Sequence, residues 1–207
     1  MKLIWIRHGE THWNREFRLQ GTSDVALSSK GLHQAEQLAA SFTGELEAIY
    51  TSPLGRTRSF AAPLAARLGL EPVVLAGLRE MSFGDWEGLR YADMDAPMKE
   101  LFEKWCADPV QTCPPGGEAA ADMAGRIQEA VKEMSASLEA GQAAAVFTHG
   151  GVIRVAVTTL MGFPPVTAAR LQIDPGSVTV TENVAGHWRL VRLNDTCHLL
   201  PDEDCKR

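Results

Sequence analysis

Short apolar runs alternate with helical patterns along this chain, and the alternation restricts the possible folds more than any other feature of the sequence. A short apolar run that ends in turn-forming residues is typical of a buried strand. The candidate strands are Leu3–Ile6, Ala48–Tyr50, Pro72–Leu75, Ala144–Phe147, Ser177–Thr181 and Trp188–Leu193. Because helical patterns separate most of them, we predict an α/β fold, a three-layer α/β/α sandwich with a mostly parallel central sheet.

The last two candidate strands are joined differently from the others. Only Glu182–His187 separates them, and this short connection contains Gly186. A connection of this length fits the turn of a hairpin and is too short for a helix. We therefore expect an antiparallel hairpin at one edge of the sheet.

Two helices are predicted in the first half of the chain. The first follows the possible caps Ser28 and Ser29, and its apolar residues are Leu32, Ala35, Ala39 and Phe42. The second is expected to begin at Ser52-Pro53, because serine is a good N-cap and proline suits the first helical position. Pro63 lies inside this second helix, so we expect a kink or a break there.

The longest predicted helix runs from about Glu118 to Ala140, and Gly141 is expected to end it. Its apolar residues recur at helical spacing and form one stripe: Met123, Ile127, Val131, Met134 and Leu138. Such a stripe is typical of a helix face that packs against a core.

The length of 207 residues fits a single domain, which we place at residues 1–207. The stretch Gly84–Gly117 fits the alternation least well, and we predict that it is an inserted, lid-like segment. The net charge of -6 offers no basic surface for nucleic acid or an anionic membrane, so neither is expected as a partner. A local group of arginines would therefore have to attract any anionic ligand.

The cysteines indicate a reducing compartment. Cys106, Cys113, Cys197 and Cys205 contain no CxxC pair and no metal-ligand spacing, so we expect free thiols. Only four apolar residues lie between Lys2 and Arg7, too few for the core of a signal peptide. No apolar run approaches the length of a membrane span. We predict a cytoplasmic protein.

The first candidate strand leads directly into Arg7-His8-Gly9-Glu10-Thr11. Ligands of open α/β sheets bind at the carboxyl ends of the strands. Arginine, histidine and glycine at such an edge offer a fixed positive charge, a nucleophile near its pKa and room for close backbone approach, a combination that suits a phosphoryl group. Taken alone, these residues also fit a strand-end histidine that is bonded only to backbone.

Three further motifs follow candidate strands. Ser52-Pro53-Leu54-Gly55-Arg56 places an arginine near a helix N-terminus, which favours anions. The loop Leu78–Gly88 carries Glu80, and Val146–Arg154 repeats the order of strand, histidine, glycines and helix around His149. Together the four motifs supply the groups that phosphoryl transfer requires.

The order of these motifs resembles the histidine phosphatase superfamily, also called the phosphoglycerate mutase-like family. The matching features are Arg-His-Gly at residue 7, the helix-borne Arg56, Glu80 before Phe83-Gly84-Asp85-Trp86-Glu87-Gly88, and His149-Gly150. The resemblance covers nearly the whole chain. It implies a phosphoglycerate mutase-like fold and an enzyme that acts on small phosphomonoesters.

The resemblance implies a role for each of these residues. His8 would be the nucleophile that becomes phosphohistidine, which requires a neutral imidazole whose second nitrogen is held by a hydrogen bond, such as one to a nearby backbone carbonyl. Glu80 would protonate the leaving oxygen and later deprotonate water. Arg7, Arg56 and His149 would hold the non-bridging oxygens and neutralise charge during transfer. The full phosphate-binding set is Arg7, Asn14, Gln20, Gly21, Arg56, His149 and Gly150.

No metal or cofactor is expected. His12 lies four residues after His8, but we take this segment to be a loop, and no third ligand follows at metal spacing. The two arginines and the second histidine already supply the charge that a divalent ion would provide. A small-molecule phosphomonoester is the expected partner, and the sequence leaves a homodimer open.

Water is predicted to accept the phosphoryl group. Phosphoglycerate mutases of this family carry Glu-Arg-x-Tyr-Gly at the acid, where the arginine helps hold the glycerate carboxylate. This chain has Glu80-Met81-Ser82-Phe83-Gly84 at that place and lacks the arginine. A phosphoglycerate mutase is therefore the weaker alternative, and a phosphatase is favoured.

Within the family, Phe83–Gly88 and Pro114-Pro115-Gly116-Gly117-Glu118 most resemble alpha-ribazole phosphatases of cobalamin biosynthesis, although Ala119 stands where the family often has serine. Broad-specificity sugar-phosphate phosphatases share much of this pattern, so they remain an alternative. The aromatic residues of the inserted segment, Trp86, Phe102 and Trp105, would cover an aromatic leaving group or simply pack together. A phosphate-binding module without turnover is a further alternative, against which the complete set of catalytic residues argues.

Overall fold

A six-stranded sheet forms the centre of the molecule. The computed structural model describes residues 1–200. The strands are β1 (Lys2–Arg7), β2 (Ala48–Thr51), β3 (Val73–Val74), β4 (Ala143–Thr148), β5 (Val178–Val184) and β6 (His187–Asp195). Their order across the sheet is β3-β2-β4-β1-β5-β6. Each strand coincides with one of the predicted apolar runs.

The strand directions confirm the predicted mixture. β3, β2, β4 and β1 are parallel to one another, whereas β5 is antiparallel to β1 and β6 is antiparallel to β5. The predicted edge hairpin is therefore present, and its turn holds Ala185 and Gly186 at positive φ. The four parallel strands point their carboxyl ends to one edge, which brings their following loops together.

Helices cover both faces of the sheet. They are α1 (His12–Arg15), α2 (Ser29–Ser41), α3 (Gly55–Leu68), α4 (Ala96–Ala107), α5 (Ala120–Ala136) and α6 (Gly150–Leu160). Side chains of a strand point alternately to the two faces. In β1, Leu3 and Trp5 accordingly pack with α5 and α6, while Ile6 packs with α2 and α3. The predicted three-layer sandwich is confirmed.

The start of α3 differs from the prediction. The helix begins at Gly55, not at Ser52-Pro53, and Leu54 precedes it without a side-chain cap. Ser52 uses its hydroxyl to hold His149 and to accept from the Leu54 N–H. We expected a kink or a break at Pro63; the break is wrong, because α3 runs through this residue without interruption, and the kink stays a prediction. Buried Phe60, Ala61, Leu64 and Ala65 pack this helix against the core on both sides of the proline.

The long helix α5 is shorter than predicted. It ends at Ala136 with Ser137 as its C-cap, so Gly141 lies in a turn beyond the helix at a φ of 91°. The predicted stripe is nevertheless buried in the core, including Leu138, which follows the helix. Apolar periodicity therefore identified the buried face correctly and overestimated the helix length.

The segment 84–117 contains two 3-10 turns, Gly84–Trp86 and Tyr91–Asp93, and helix α4. Trp86 is fully buried and contacts Phe102 and Trp105 edge-to-face. Trp105 also packs against Phe83. The aromatic residues of this segment therefore pack mainly on one another. Movement of this segment as a lid stays a prediction.

The sequence also predicted free cysteine thiols and no membrane-spanning segment. Cys106 and Cys113 are free thiols in the structure, and Cys205 lies outside the described residues. None of the helices within residues 1–200 combines the length and the apolar character needed to cross a bilayer.

Candidate active site

The adjacent strands β1 and β4 bring the two histidine motifs together. Arg7 pairs with Thr148 in the parallel register, and the His8 N–H donates to the Thr148 carbonyl at 3.0 Å. The rings of His8 and His149 consequently meet edge-to-face, with centroids 5.2 Å apart. Residues separated by 141 positions in the sequence thus form the centre of one site.

The His8 ring is held in one orientation. Its Nδ1 lies 2.8 Å from the Gly9 carbonyl oxygen, which can only accept, so Nδ1 carries the proton and Nε2 keeps its lone pair. Burial lowers the pKa of His8 well below its ordinary value, and the nearby charges of Arg56 and Arg7 lower it further. The imidazole is therefore neutral at physiological pH, as a nitrogen nucleophile must be.

Arg56 lies in the first turn of α3 and is almost fully buried. Its guanidinium donates from Nη2 to the Gly21 carbonyl and from Nη1 to the Ser23 carbonyl, each at 2.7 Å. Burial lowers its pKa, and the carboxylates of Glu80 and Asp24 partly oppose this shift. Its buried Nε has no hydrogen-bond partner among the described residues, so an N–H group is left for a ligand.

Arg7 ends β1 and offers a second buried guanidinium. Nη1 donates to the Ile173 carbonyl at 2.6 Å, whereas the buried Nε has no partner within the described residues. Burial lowers the pKa of Arg7 to about 10, and Glu80 opposes the shift. Both arginines thus stay charged at neutral pH, and the site concentrates positive charge in an acidic protein.

His149 lies directly before α6 and is completely buried. Its Nε2 is hydrogen-bonded to the Ser52 hydroxyl at 2.8 Å, and its buried Nδ1 has no partner in the described part of the chain. Burial lowers the pKa of His149 well below the ordinary value, with further lowering by His8, Arg56 and Arg7. His149 is not among the residues that line the cavity next to His8.

Glu80 lines the same cavity as His8 and follows the 3-10 turn Ala76–Leu78 that comes after β3. Its Oε1 accepts from the Met81 N–H at 3.0 Å, and its Oε2 accepts from the Gly151 N–H at 3.1 Å. A Cβ at residue 151 would collide with the Glu80 Oε1, so the first turn of α6 needs glycine at this position for the carboxylate to approach. Gly151 was assigned no role from sequence, although the Gly150-Gly151 pair was visible.

The predicted rim residues form a connected loop. Asn14 accepts on Oδ1 from the Thr11 N–H at 3.0 Å, and the Gln20 amide donates to the Thr11 hydroxyl at 2.7 Å. Gln20 Oε1 is buried without a partner among the described residues. Gly21 has a φ of 54°, and a Cβ there would collide with the Glu87 carboxylate. This loop therefore packs tightly against the segment that carries Glu80.

Glu87 joins these two loops. It accepts from the backbone N–H groups of Thr22 and Ser23, each at 2.9 Å, and from both of their hydroxyls. Burial by itself raises the pKa of Glu87, but these hydrogen bonds outweigh it, and the pKa lies below its ordinary value. Glu87 therefore shapes the contact between the two loops.

A cavity of about 660 Å³ opens in front of His8. Every predicted site residue except His149 lines it: Arg7, His8, Asn14, Gln20, Gly21, Arg56, Glu80 and Gly150. The far wall is largely apolar and comes from α5, α6, the end of α4 and the segment 163–169. It includes Phe83, Trp105, Val110, Met123, Val155, Phe163 and Ala168. The cavity thus has a charged end around His8 and a largely apolar part, which we call the apolar chamber.

Arg154 also lines this cavity and was given no role from sequence. Its Nε donates to the Leu171 carbonyl at 2.8 Å. Within residues 1–200, the acidic side chains form no ion pair with it. It lies close enough to Arg7 to lower that residue's pKa. Arg154 lies one turn of α6 after Gly150 and therefore adds a further positive charge to the cavity wall.

The histidines at 8 and 12 are not a metal pair. His12 begins the short helix α1, which corrects the expectation of a loop, and it is exposed while His8 is buried. Across residues 1–200, no group of three or more His, Cys, Asp or Glu side chains is arranged to hold a metal ion.

The chain is similar to known proteins over almost its full length. The family model described as "Histidine phosphatase superfamily (branch 1)" matches residues 3–196. Phosphoserine phosphatase 1 of Hydrogenobacter thermophilus is 30% identical over 200 residues, which cover 96% of this chain and 94% of that protein. Other relatives carry the name of a probable phosphoglycerate mutase, GpmB, so the names of the relatives do not agree on one substrate.

Solved structures share the fold. The alpha-ribazole phosphatase from Shigella flexneri has a TM-score of 0.85 at 26% identity and covers 94% of this chain and 96% of its own. A mycobacterial glucosyl-3-phosphoglycerate phosphatase, solved with VO3, has a TM-score of 0.87 at 32% identity and covers 94% of this chain and 99% of its own. The fold and the family are therefore established together.

Proposed function

This chain belongs to branch 1 of the histidine phosphatase superfamily and is a phosphomonoesterase, and we propose that it works without metal through a phosphohistidine at His8. The observation that carries the proposal is the hydrogen bond from Nδ1 to the Gly9 carbonyl, because it leaves the lone pair of Nε2 free. The cavity in front of His8 is bordered by two charged arginines, each with an unpartnered buried N–H. A phosphoryl group fits that combination of nucleophile and donors.

The first step transfers the phosphoryl group to the enzyme. Nε2 of His8 attacks phosphorus, the bond from phosphorus to the ester oxygen breaks, and protonated Glu80 gives its proton to that oxygen. Arg7 and Arg56 stabilise the charge that spreads over the three non-bridging oxygens during transfer. His149, whose ring contacts His8 edge-to-face, helps to hold the nucleophile in position.

The second step returns the enzyme to its starting state. Glu80, now a carboxylate, takes a proton from water as the water oxygen bonds to phosphorus and the bond to Nε2 breaks. Inorganic phosphate leaves, and Glu80 is again protonated for the next cycle. Met81 follows Glu80 in place of the arginine that would hold a glycerate carboxylate, which supports water as the acceptor.

We predict that exhaustive chelation leaves phosphatase activity unchanged. The guanidinium groups of Arg7 and Arg56 supply the charge that a divalent ion would otherwise provide. The measurement is hydrolysis of p-nitrophenyl phosphate before and after treatment with a chelator, with vanadate as a competitive inhibitor that mimics five-coordinate phosphorus. Loss of activity on chelation, with recovery on addition of magnesium or zinc, would contradict the proposal.

For the leaving group, alpha-ribazole, a benzimidazole riboside, is our first candidate. The chamber beyond the phosphate end is lined by Phe83, Trp105, Met123 and Phe163, which suit a flat apolar group. The whole cavity has a volume of about 660 Å³, which accommodates a phosphoryl group together with a nucleoside-sized leaving group. Similarity to an alpha-ribazole phosphatase of known structure supports the same substrate.

Arg154 favours a second candidate, a phosphomonoester whose leaving group carries a carboxylate. An arginine without an acidic partner inside a binding cavity is suited to a carboxylate of the ligand. The names phosphoserine phosphatase and glucosyl-3-phosphoglycerate phosphatase among the relatives both describe substrates of this kind.

A substrate panel with Arg154→Gln separates these candidates. We expect alpha-ribazole 5'-phosphate to have the highest kcat/KM in the wild type, and Arg154→Gln to leave it unchanged, because no anion then faces residue 154. A best substrate with a carboxylate, such as phosphoserine, and a loss of about tenfold or more in Arg154→Gln would establish the second candidate instead. Arg170→Gln, at an exposed position outside the cavity, is the matched control.

A further inference from the structure

A buried ion pair holds the segment that carries Glu80. Arg126, on α5, donates to the Glu118 carboxylate from Nε at 2.7 Å and from Nη2 at 2.8 Å. The side chains are 15% and 9% exposed. A bidentate pair of this kind fixes the guanidinium plane as well as its position. We call this pair the Arg126–Glu118 clamp.

The third guanidinium nitrogen of Arg126, Nη1, donates to backbone carbonyl groups and not to Glu118. Nη1 donates to the carbonyl of Gly77 at 2.7 Å and to the carbonyl of Arg79 at 2.6 Å. The Arg79 carbonyl belongs to the peptide group that links Arg79 to Glu80. Arg126 is therefore bonded to the backbone immediately before the proposed acid.

Glu118 holds the same segment on the other side of Glu80. Its backbone N–H donates to the Ser82 carbonyl at 2.9 Å, and its Oε1 accepts from Arg79 Nη1 at 3.2 Å. The segment 77–82 is thus restrained both before and after Glu80. Among the described residues, the Glu80 carboxylate accepts hydrogen bonds only from the N–H groups of Met81 and Gly151.

The surroundings of Glu118 favour its charged form, which the ion pair with Arg126 requires. Burial alone raises the pKa of Glu118, but the hydrogen bond and charge of Arg126 outweigh it, and the pKa lies below its ordinary value. Neither Arg126 nor Glu118 is among the residues that line the cavity. An effect of the pair on Glu80 therefore passes through the backbone of segment 77–82.

We propose that the Arg126–Glu118 clamp positions Glu80 for proton transfer. The proposal rests on the role of Glu80 given above. Without the clamp, segment 77–82 keeps its chain connections but loses its bonds at residues 77 and 79, and the carboxylate samples a wider range of positions. Proton transfer needs its partners within hydrogen-bond reach, so the loss falls on the step that Glu80 serves.

The test uses Arg126→Met and compares two esters with different leaving groups. We expect kcat/KM for an alkyl phosphomonoester to fall about tenfold to a hundredfold more than kcat/KM for p-nitrophenyl phosphate, because the activated phenolate needs little protonation. Arg126→Lys keeps the charge and can bond one carbonyl, so it should recover part of the loss. Equal losses for both esters, or no loss, would overturn the proposal.

Two controls separate positioning from general damage. Arg189→Met removes an ion pair to Glu182 in the edge hairpin, beside Lys2 at the end of β1 opposite Arg7, and should leave the ratio of the two esters unchanged. Thermal unfolding checks that each variant is folded. If Arg126→Met does not fold, Glu118→Gln, which keeps the backbone bond to Ser82, replaces it and carries the same expectation.

A double variant tests whether the effect passes through Glu80. In a Glu80→Gln background, Arg126→Met should cause no further selective loss, because there is no acid left to position. A full additional loss in the double variant would overturn the proposal. If Glu80→Gln itself shows no dependence on the leaving group, the acid role of Glu80 fails, and that result is distinguishable from failure of the clamp.

Discussion

Replacing His8 with alanine is expected to lower turnover by at least about 10⁴-fold, because the residues around a nucleophile act as a unit and lose most of their effect without it. Within residues 1–200, the imidazole is hydrogen-bonded only to the Gly9 carbonyl through Nδ1, so its removal leaves the strand pairing of β1 intact. The measurement is steady-state hydrolysis of p-nitrophenyl phosphate by the purified variant. Thermal unfolding establishes that the variant is folded.

A labelling experiment adds a direct readout for His8. Brief incubation of the wild type with a radiolabelled phosphomonoester should give an acid-labile phosphoryl label on the protein, and His8→Ala should give none. His12→Ala is the matched control, since His12 is exposed on α1 and should keep both activity and label. Substantial turnover by a folded His8→Ala variant would rule out the phosphohistidine mechanism.

The second large effect is expected for Glu80→Gln, and its size should depend on the leaving group. An alkoxide leaves with difficulty unless it is protonated, whereas p-nitrophenolate leaves readily without a proton. We therefore expect phosphoryl transfer from an alkyl phosphomonoester to fall by about 10²–10⁴-fold more than transfer from p-nitrophenyl phosphate. The measurement is pre-steady-state turnover of both esters by the wild type and the variant.

The same variant should also trap the intermediate. With p-nitrophenyl phosphate, Glu80→Gln should accumulate phosphohistidine, because hydrolysis of the intermediate loses its base. Glu36→Gln, at an exposed position on α2, makes the same change away from the site and should behave as the wild type. Equal losses for the two esters, with no trapped intermediate, would show that Glu80 only orders its loop and that the proton comes from elsewhere.

The sheet was predictable because its determinants are local. An apolar run such as Leu3–Ile6 indicates a strand through residues adjacent in sequence, and the stripe from Met123 to Leu138 indicates a buried helix face through residues three or four apart. Helix ends were less predictable. Serine is a common N-cap residue, so Ser52 was expected to begin α3. Its hydroxyl is instead hydrogen-bonded to His149, which lies 97 residues away, and α3 begins later, at Gly55.

The residues that meet at the site could be predicted, because the types of residue in the motifs and the order of the motifs along the chain indicate them. Arg7, His8, Arg56 and Glu80 follow strands or open helices, and parallel strands bring such residues to one edge of a sheet. Their functional roles stay proposals, but seven of the predicted residues lie with His8 around one cavity. His149 differs, since it is buried and is not among the residues that line the cavity.

The sequence by itself determined the layered fold, the order of the strand-end motifs and the residue types available for phosphoryl transfer, since each depends on a short stretch of chain. Tertiary structure alone decided the proton position on His8, the chamber that Arg154 borders and the Arg126–Glu118 clamp. Arg126 reaches carbonyls 49 and 47 residues away, at Gly77 and Arg79. Such contacts depend on how α5 packs against the sheet edge, and periodicity and motif spacing contain no information about that packing.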